Sequence, residues 1–409
     1  MKHIAVVGAG LAAVSTCAAL RAQGYDGGLT LYSAEPGLPY DRPPLSKDVL
    51  LGKAQRADVL LRPADWYDAH RVVLRPGIPV RAVRPGEGGL ELDDGTREKA
   101  DRVVLATGGT PRTLPFPGTH TLRTWEEAER LRERLLPGAR VVVVGAGLIG
   151  AETAAAARVL GCEVTLVDPV PVPLAAVVGD AVAGALHRRH TIEGVRVITA
   201  GVDRVEGSVV HLTGDAGQVV ADTVVAGIGI RPATELALTA GLSVDNGIVV
   251  DTGRRTSHPH VYAVGDVARH DGSPVRHEHW EAAQRDGEAA AHGLLGRPVP
   301  EEGASWFWSD RHGSRLEAVG TMADAERVVL RGSPEVSGSP DDSGSPDGSG
   351  SPGAGFVAFG LRGGRLVAAA AIDRVREIKA ARRLIDRGVP VEAAQLADET
   401  ADLRTLLKR

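Results

Sequence analysis

Cysteine is scarce: Cys17 and Cys162 are the only two among 409 residues. Two thiols cannot build a disulfide framework, a four-thiol zinc site or an iron–sulfur cluster. Aromatic residues make up 3% of the chain, too few for a base-stacking platform. The formal net charge is −5, so there is no basic excess to neutralise phosphates, and nucleic acid is excluded as the main partner. No apolar run reaches the roughly 20 residues that a membrane span needs. Uncharged Ile4–Leu20 has the look of a secretory core, but Gly8-Ala9-Gly10 interrupts it, so the cytoplasm is the expected compartment.

Glycine, by contrast, is abundant, with 51 residues. Gly8-x-Gly10-x-x-Ala13 follows the β-branched run Ile4–Val7 and opens an alanine-rich helical stretch. That context makes the pattern a dinucleotide-binding turn. The first glycine permits the turn, the second lets backbone approach a pyrophosphate, and the small third residue packs helix on strand. The diphosphate then meets free N–H groups at a helix N-terminus, here Leu11, Ala12 and Ala13. Glu35, just past the expected strand Leu29–Tyr32, is placed to accept from ribose hydroxyls.

Gly145-x-Gly147-x-x-Gly150 repeats the design, with Leu148 and Ile149 opening the helix and Asp168 ending the strand Glu163–Val167. A carboxylate there repels a 2′-phosphate, and Pro169-Val-Pro-Val-Pro brings no arginine to hold one, so NADH is expected over NADPH. Two such cradles in one chain point to FAD plus a nicotinamide nucleotide. Leu105-Ala106-Thr107-Gly108-Gly109, Ala226–Pro232 with Gly229, and Tyr262-Ala-Val-Gly265-Asp266 are further strand ends running into glycine turns. Each suits a cofactor crossing and each, alone, equally suits an ordinary turn. Strand-like Arg102–Thr107, Thr223–Ile228 and His260–Val264 alternate with helical patterns, which implies doubly wound parallel sheets.

Ser333–Gly355 is different: a six-residue Ser-Pro repeat with almost nothing apolar to bury, expected to be a disordered loop. It separates two strand-like runs, Ala325–Leu330 and Phe356–Leu361. A hairpin turn lengthened by repeat expansion accounts for it, with a tethered binding segment as the alternative.

Tyr40-Asp41-Arg42-Pro43-Pro44-Leu45-Ser46-Lys47, taken with these motifs, resembles the FAD-dependent ferredoxin reductases, as do Thr256–Ala268, Phe307-Trp308-Ser309-Asp310 and Arg374–Arg387. These are the rubredoxin, putidaredoxin and aryl-dioxygenase ferredoxin reductases, on the glutathione-reductase-like fold. The resemblance implies an α/β chain with two Rossmann-like dinucleotide-binding domains and a C-terminal α+β domain. The FAD domain would comprise 1–110 and 236–304, the NAD domain 111–235, and the C-terminal domain 305–409 with loop 333–355. It further implies that Gly8, Gly10, Ala13, Glu35, Arg42, Lys47, Val80, Thr107, Arg123, Asp266 and Trp280 hold FAD, with Leu11, Ala12, Ala106, Gly108 and Gly265 alongside. Gly145, Gly147, Leu148, Ile149, Gly150, Asp168 and Gly229 would hold the nicotinamide nucleotide. Lys47 would lie near the flavin and pair with Glu152, and Trp308 would lie close to the flavin. A fixed ammonium stabilises charge gained on reduction, and an opposite charge keeps it ionised despite burial. Without the resemblance, Lys47 reads equally well as a solvated side chain. Asp168, where relatives commonly have Glu, and Glu281-Ala282, in place of a frequent polar-amide pair, are the departures.

Relatives with thiol chemistry need a redox cysteine after the first βαβ unit, where this chain has Pro43–Lys47. Cys17 and Cys162 are expected as core residues. The pairs His187/His190, His258/His260 and His277/His279 lack companions at ligand spacing, so no metal is expected and turn or surface roles are. Arg376, Lys379, Arg383 and Arg387 recur at helical spacing. They read either as a stripe steering an acidic ferredoxin or as a solvated face paired with Glu377 and Asp386. The leading expectation is an NADH-dependent reductase, monomeric or homodimeric, feeding a [2Fe–2S] ferredoxin that serves a monooxygenase or ring-hydroxylating dioxygenase. An NADH oxidase or quinone-type reductase, and an NADH-sensing flavoprotein, are the alternatives.

Overall fold

The β-branched runs before the two glycine turns form the central strands of two parallel sheets in a computed structural model, which describes residues 1–273, 275–334 and 355–408. The chain divides into two compact units: residues 1–112, 123–125 and 230–302, and residues 113–122, 126–229 and 303–409.

In the first unit, five strands lie in the order Val261–Ala263, Arg102–Leu105, His3–Val7, Gly28–Tyr32, Val73–Arg75, all parallel. Side chains alternate across a strand, so each face has its own core. Ile4, Val6, Leu29 and Leu31 pack with Ala13, Val14 and Cys17 of helix Leu11–Ala22, while Ala5, Val7 and Tyr32 face the other way. The helix Trp280–Leu294 adds Ala290, Ala291 and Leu294 to the first of these cores.

In the second unit, the parallel order is Arg196–Thr199, Glu163–Asp168, Arg140–Val144, Thr223–Ala226, Thr119–His120. Val141–Val144 are buried throughout, as a sheet covered on both faces requires. A five-stranded antiparallel sheet follows, in the order Trp306–Arg311, Ser314–Val319, Arg365–Ile372, Phe356–Arg362, Arg327–Arg331. One face packs Leu316, Phe356 and Ala370 on Val182 and Leu186 of helix Asp180–Ile192. The other packs Val357, Phe359 and Ala371 on Ile378, Ala381 and Leu384 of helix Val375–Asp386. Strands Arg327–Arg331 and Phe356–Arg362 pair antiparallel, with Arg331 opposite Val357. The repeat expected between them falls, over 335–354, outside the described residues.

Candidate functional site

Both glycine turns show the division of labour the motif demands. Gly8 and Gly145 have φ of +107° and +97°, the left-handed side that favours glycine. A Cβ on Gly8 would overlap the Ala106 carbonyl, and one on Gly145 would lie 2.5 Å from the Gly227 carbonyl oxygen. Gly10 and Gly147 are the reverse: a Cβ there meets no protein atom within 4 Å. The space beside each second glycine is therefore open, at the N-cap of helices Leu11–Ala22 and Leu148–Val159, where unpaired N–H groups attract a phosphate. Gly150 is closed again, a Cβ there overlapping the Gly145 carbonyl, and Ala13 is fully buried.

A cavity of about 340 Å³ opens at the first turn. Of the residues expected at FAD, it is lined by Gly8, Gly10, Leu11, Ala12, Glu35, Arg42, Val80, Ala106, Thr107, Gly108, Arg123, Gly265, Asp266 and Trp280. Chain segments from Gly8 to Trp280 thus converge on one volume. Ala13 lies behind the lining, in the helix–sheet packing. Lys47 is also outside it, at the end of the turn Pro43–Ser46, its Nζ donating to the Pro43 carbonyl at 3.4 Å.

The carboxylates of this cavity are held in place. Glu35 accepts from the Tyr40 hydroxyl at 2.6 Å and from Arg42 at 3.1 Å, and the Tyr40 oxygen accepts from the Trp125 backbone N–H at 2.9 Å. Asp266 pairs with Arg123 at 2.7 Å. The turn carrying Asp266 is fixed by Asp286, whose Oδ2 accepts from the Gly265 N–H at 2.8 Å while Oδ1 accepts from fully buried Arg254 at 2.7 Å. Burial pushes the Asp286 carboxyl up, but His270 and Arg254 prevail and hold it below the usual range. His279 caps helix Trp280–Leu294 by accepting from Ala282 N–H at 3.3 Å, and burial depresses its pKa to about 4, so the cap stays neutral. Lined by the fixed carboxylates of Glu35 and Asp266 and opening on a helix N-terminus, this cavity fits a dinucleotide such as FAD.

At the second turn, Asp168 is oriented by two backbone donors, Ala146 N–H at 2.7 Å and Val170 N–H at 2.8 Å. Ile149 is 44% exposed in the first helical turn, an apolar side chain left beside the open cradle. Gly229 ends the turn after Thr223–Ala226 with φ +88° and open space at its Cβ position. The donor set fits a second dinucleotide.

Glu152, two residues beyond Gly150, is 3% exposed and accepts from the Ser309 hydroxyl at 2.7 Å. Ser309 escaped the sequence reading; the alternation of strand Trp306–Arg311 is the signal that turns Ser309 and Arg311 to one buried face. Burial lowers the Arg311 pKa to about 10 against the pull of Glu152. Trp308 stacks on Trp306, ring centroids 5.1 Å apart, with the Arg315 guanidinium 5.8 Å from its ring centre. Trp306 was likewise not anticipated.

One expectation is resolved differently. His190 is not a surface residue: it is buried, bonded to His312 at 2.8 Å, and its pKa falls to about 2 through burial and its cationic neighbours. The stripe Arg376, Lys379, Arg383 and Arg387 is exposed, and the acids proposed to neutralise it are taken by others, Glu377 by Arg374 and Asp386 by Arg382. Cys17 and Cys162 are buried, and burial drives the Cys17 thiol up to about 12, so neither is a ready nucleophile. Among the described residues, no three His, Cys, Asp or Glu side chains converge as a metal site, and no helix is long and apolar enough to cross a membrane.

The pyridine nucleotide-disulphide oxidoreductase family profile matches residues 2–287, and a reductase C-terminal profile matches 306–341 and 347–407. The chain belongs to the pyridine nucleotide-disulphide oxidoreductases. This oxidoreductase is 41% identical to the ferredoxin–NAD(+) reductase component of the anthranilate 1,2-dioxygenase system of Burkholderia cepacia, covering 98% of both chains. It is 36% identical to rhodocoxin reductase of Rhodococcus erythropolis, covering 99% of this chain and 94% of the relative. Its fold superposes with a TM-score of 0.90 and 34% identity on the reductase of a covalent putidaredoxin reductase–putidaredoxin complex, covering 100% and 98%. Unlike the disulphide reductases of the family name, this oxidoreductase has no cysteine pair at its turns.

Proposed function

We propose that this oxidoreductase takes a hydride from NADH and delivers single electrons to a [2Fe–2S] ferredoxin that serves a monooxygenase or ring-hydroxylating dioxygenase. The observation that carries the reading is the pair of open glycine cradles, each followed by a fixed carboxylate, in a chain without redox thiols. FAD, when bound, supplies the chemistry: it accepts two electrons together and releases them singly.

The chain's own residues would do the rest. The helix Leu11–Ala22 and Gly10 receive the FAD pyrophosphate, Glu35 its ribose, and Asp266, braced by Arg123, its polyol. Gly145, Gly147, Leu148, Ile149, Gly150 and Gly229 receive the nicotinamide nucleotide. Asp168, fixed by the Ala146 and Val170 backbone N–H groups, favours free hydroxyls and so NADH over NADPH. Lys47 supplies an ammonium to the reduced cofactor, Glu152 is the carboxylate that keeps it charged, and Ser309 orients Glu152. Trp308 covers the cofactor. The exposed stripe Arg376, Lys379, Arg383 and Arg387 supplies the positive field that steers an acidic ferredoxin.

Steady-state NADH oxidation against a panel of ferredoxins, with NADPH as control, tests the reading. Fast cytochrome c reduction only on adding a [2Fe–2S] ferredoxin supports it. Rapid reoxidation by air, or a long-lived reduced state with altered sedimentation, refutes it in favour of an oxidase or a sensor.

A further inference from the structure

The Tyr40–Lys47 segment and the start of helix Trp280–Leu294 are more than 230 residues apart in the chain, yet both wall the cavity of the first unit. Tyr40, Arg42 and Pro43 line one side, and His279, Trp280 and Ala283 another. Asp41 does not line it. Its carboxylate accepts from the Trp280 indole N–H, with Oδ1 at 3.0 Å and Oδ2 at 3.2 Å. Its backbone N–H is separately anchored to the Val59 carbonyl at 2.7 Å. The side chain therefore bridges its own segment, through the Arg42 backbone N–H, to the helix.

We infer that Asp41 is a positioning residue that ties these two walls together through Trp280 and thereby slows the escape of FAD. An indole offers a single hydrogen-bond donor, and Asp41 accepts at that point. A carboxylate makes the stronger, charge-assisted form of this bond. Burial holds the Asp41 pKa above the usual carboxylate range, against the opposing pull of the Trp280 indole, the Arg42 backbone N–H and the Lys47 ammonium. The inference rests on the reading of this cavity as the FAD site.

The test is FAD release from the holoprotein, followed by recovery of free-flavin fluorescence on dilution, alongside the melting temperature of each apoprotein. Trp280→Phe keeps a ring and deletes only the donor, so it isolates the bond, while Asp41→Ala deletes the acceptor together with its contacts to Arg42 N–H and Lys47. Each should speed release about tenfold, the size expected for one charge-assisted bond. Asp41→Asn retains an acceptor and should recover most of the loss. The double variant should release no faster than Asp41→Ala alone, because the Trp280 bond is already lost there. Wild-type release rates in Asp41→Ala, or a lowered apoprotein melting temperature with unchanged release, would overturn the inference while leaving the FAD site intact. A wild-type chain that takes up no FAD would overturn the site itself.

Discussion

Gly147 and Gly150 sit three residues apart at the same helix N-terminus, and the structure assigns them opposite vulnerabilities. At Gly150 a Cβ would collide with the Gly145 carbonyl oxygen, and the Val143 Cγ1 atom 3.5 Å away closes the other side. Both are core backbone and sheet atoms that cannot swing aside. Such overpacking costs about 1–3 kcal/mol or more, against about 1 kcal/mol gained in helix propensity, so Gly150→Ala should be net destabilising. Bulkier Gly150→Val should lower the melting temperature by several degrees. At Gly147, φ is −67° and ψ −167°, a conformation any residue adopts, and a Cβ meets nothing within 4 Å. Gly147→Ala should cost under about 1 kcal/mol of stability, the difference between two N-cap residues. Its methyl would instead occupy the open space assigned to the pyrophosphate and raise the NADH dissociation constant at least about tenfold, or roughly 1.4 kcal/mol. Thermal unfolding and NADH titration of both holoproteins read the two effects separately. Unchanged NADH affinity in Gly147→Ala would refute the cradle. A Gly150→Val protein as stable as wild type would refute the packing argument.

Asp286→Ala strips the carboxylate that bonds both Gly265 N–H and buried Arg254, and unfolding should show a loss of about 3–5 kcal/mol. Glu302 remains on Arg254 and places the loss at the lower end of that range. His190 has a folded pKa depressed to about 2, well below its unfolded value of 6.5, so it binds fewer protons folded than unfolded. Its contribution to stability is complete above pH 6.5 and declines as pH falls below that value. His190→Gln should therefore flatten the melting temperature between pH 6.5 and 4, which a thermal scan across that range checks. Replacing Arg383 and Arg387 with Ser should raise the apparent KM for ferredoxin, more at low salt than at high, and leave ferricyanide reduction unchanged. Equal effects on both acceptors would refute the docking stripe.

The parts of this protein that could be read from sequence are those whose physics is local. A glycine turn joins one strand to one helix within a dozen residues, so the motif in its strand–turn–helix context was legible at both positions. The strand runs Glu163–Asp168 and Phe356–Arg362 were equally legible, because a buried strand writes its burial into consecutive β-branched or apolar residues. What stayed hidden was made by distant segments meeting. Ser309 reaches Glu152 across 157 positions, Asp41 reaches Trp280 across 239, and His312 reaches His190 across 122. Each is a polar side chain whose sequence neighbourhood looks like surface. Only the topology of each unit shows that its partner is waiting. The basic stripe is an intermediate case: its periodicity was visible, but whether Glu377 and Asp386 neutralised it depended on Arg374 and Arg382 taking those acids first.

The central claim is that electrons enter from NADH and leave singly to an iron–sulfur protein. The most direct test is anaerobic stopped-flow mixing of the FAD-loaded protein with NADH or NADPH, followed by a [2Fe–2S] ferredoxin. The account predicts flavin bleaching much faster with NADH than with NADPH, then ferredoxin reduction at two equivalents per NADH consumed. Equal bleaching by both nucleotides would contradict the role of Asp168. Bleaching without ferredoxin reduction would contradict the account as a whole.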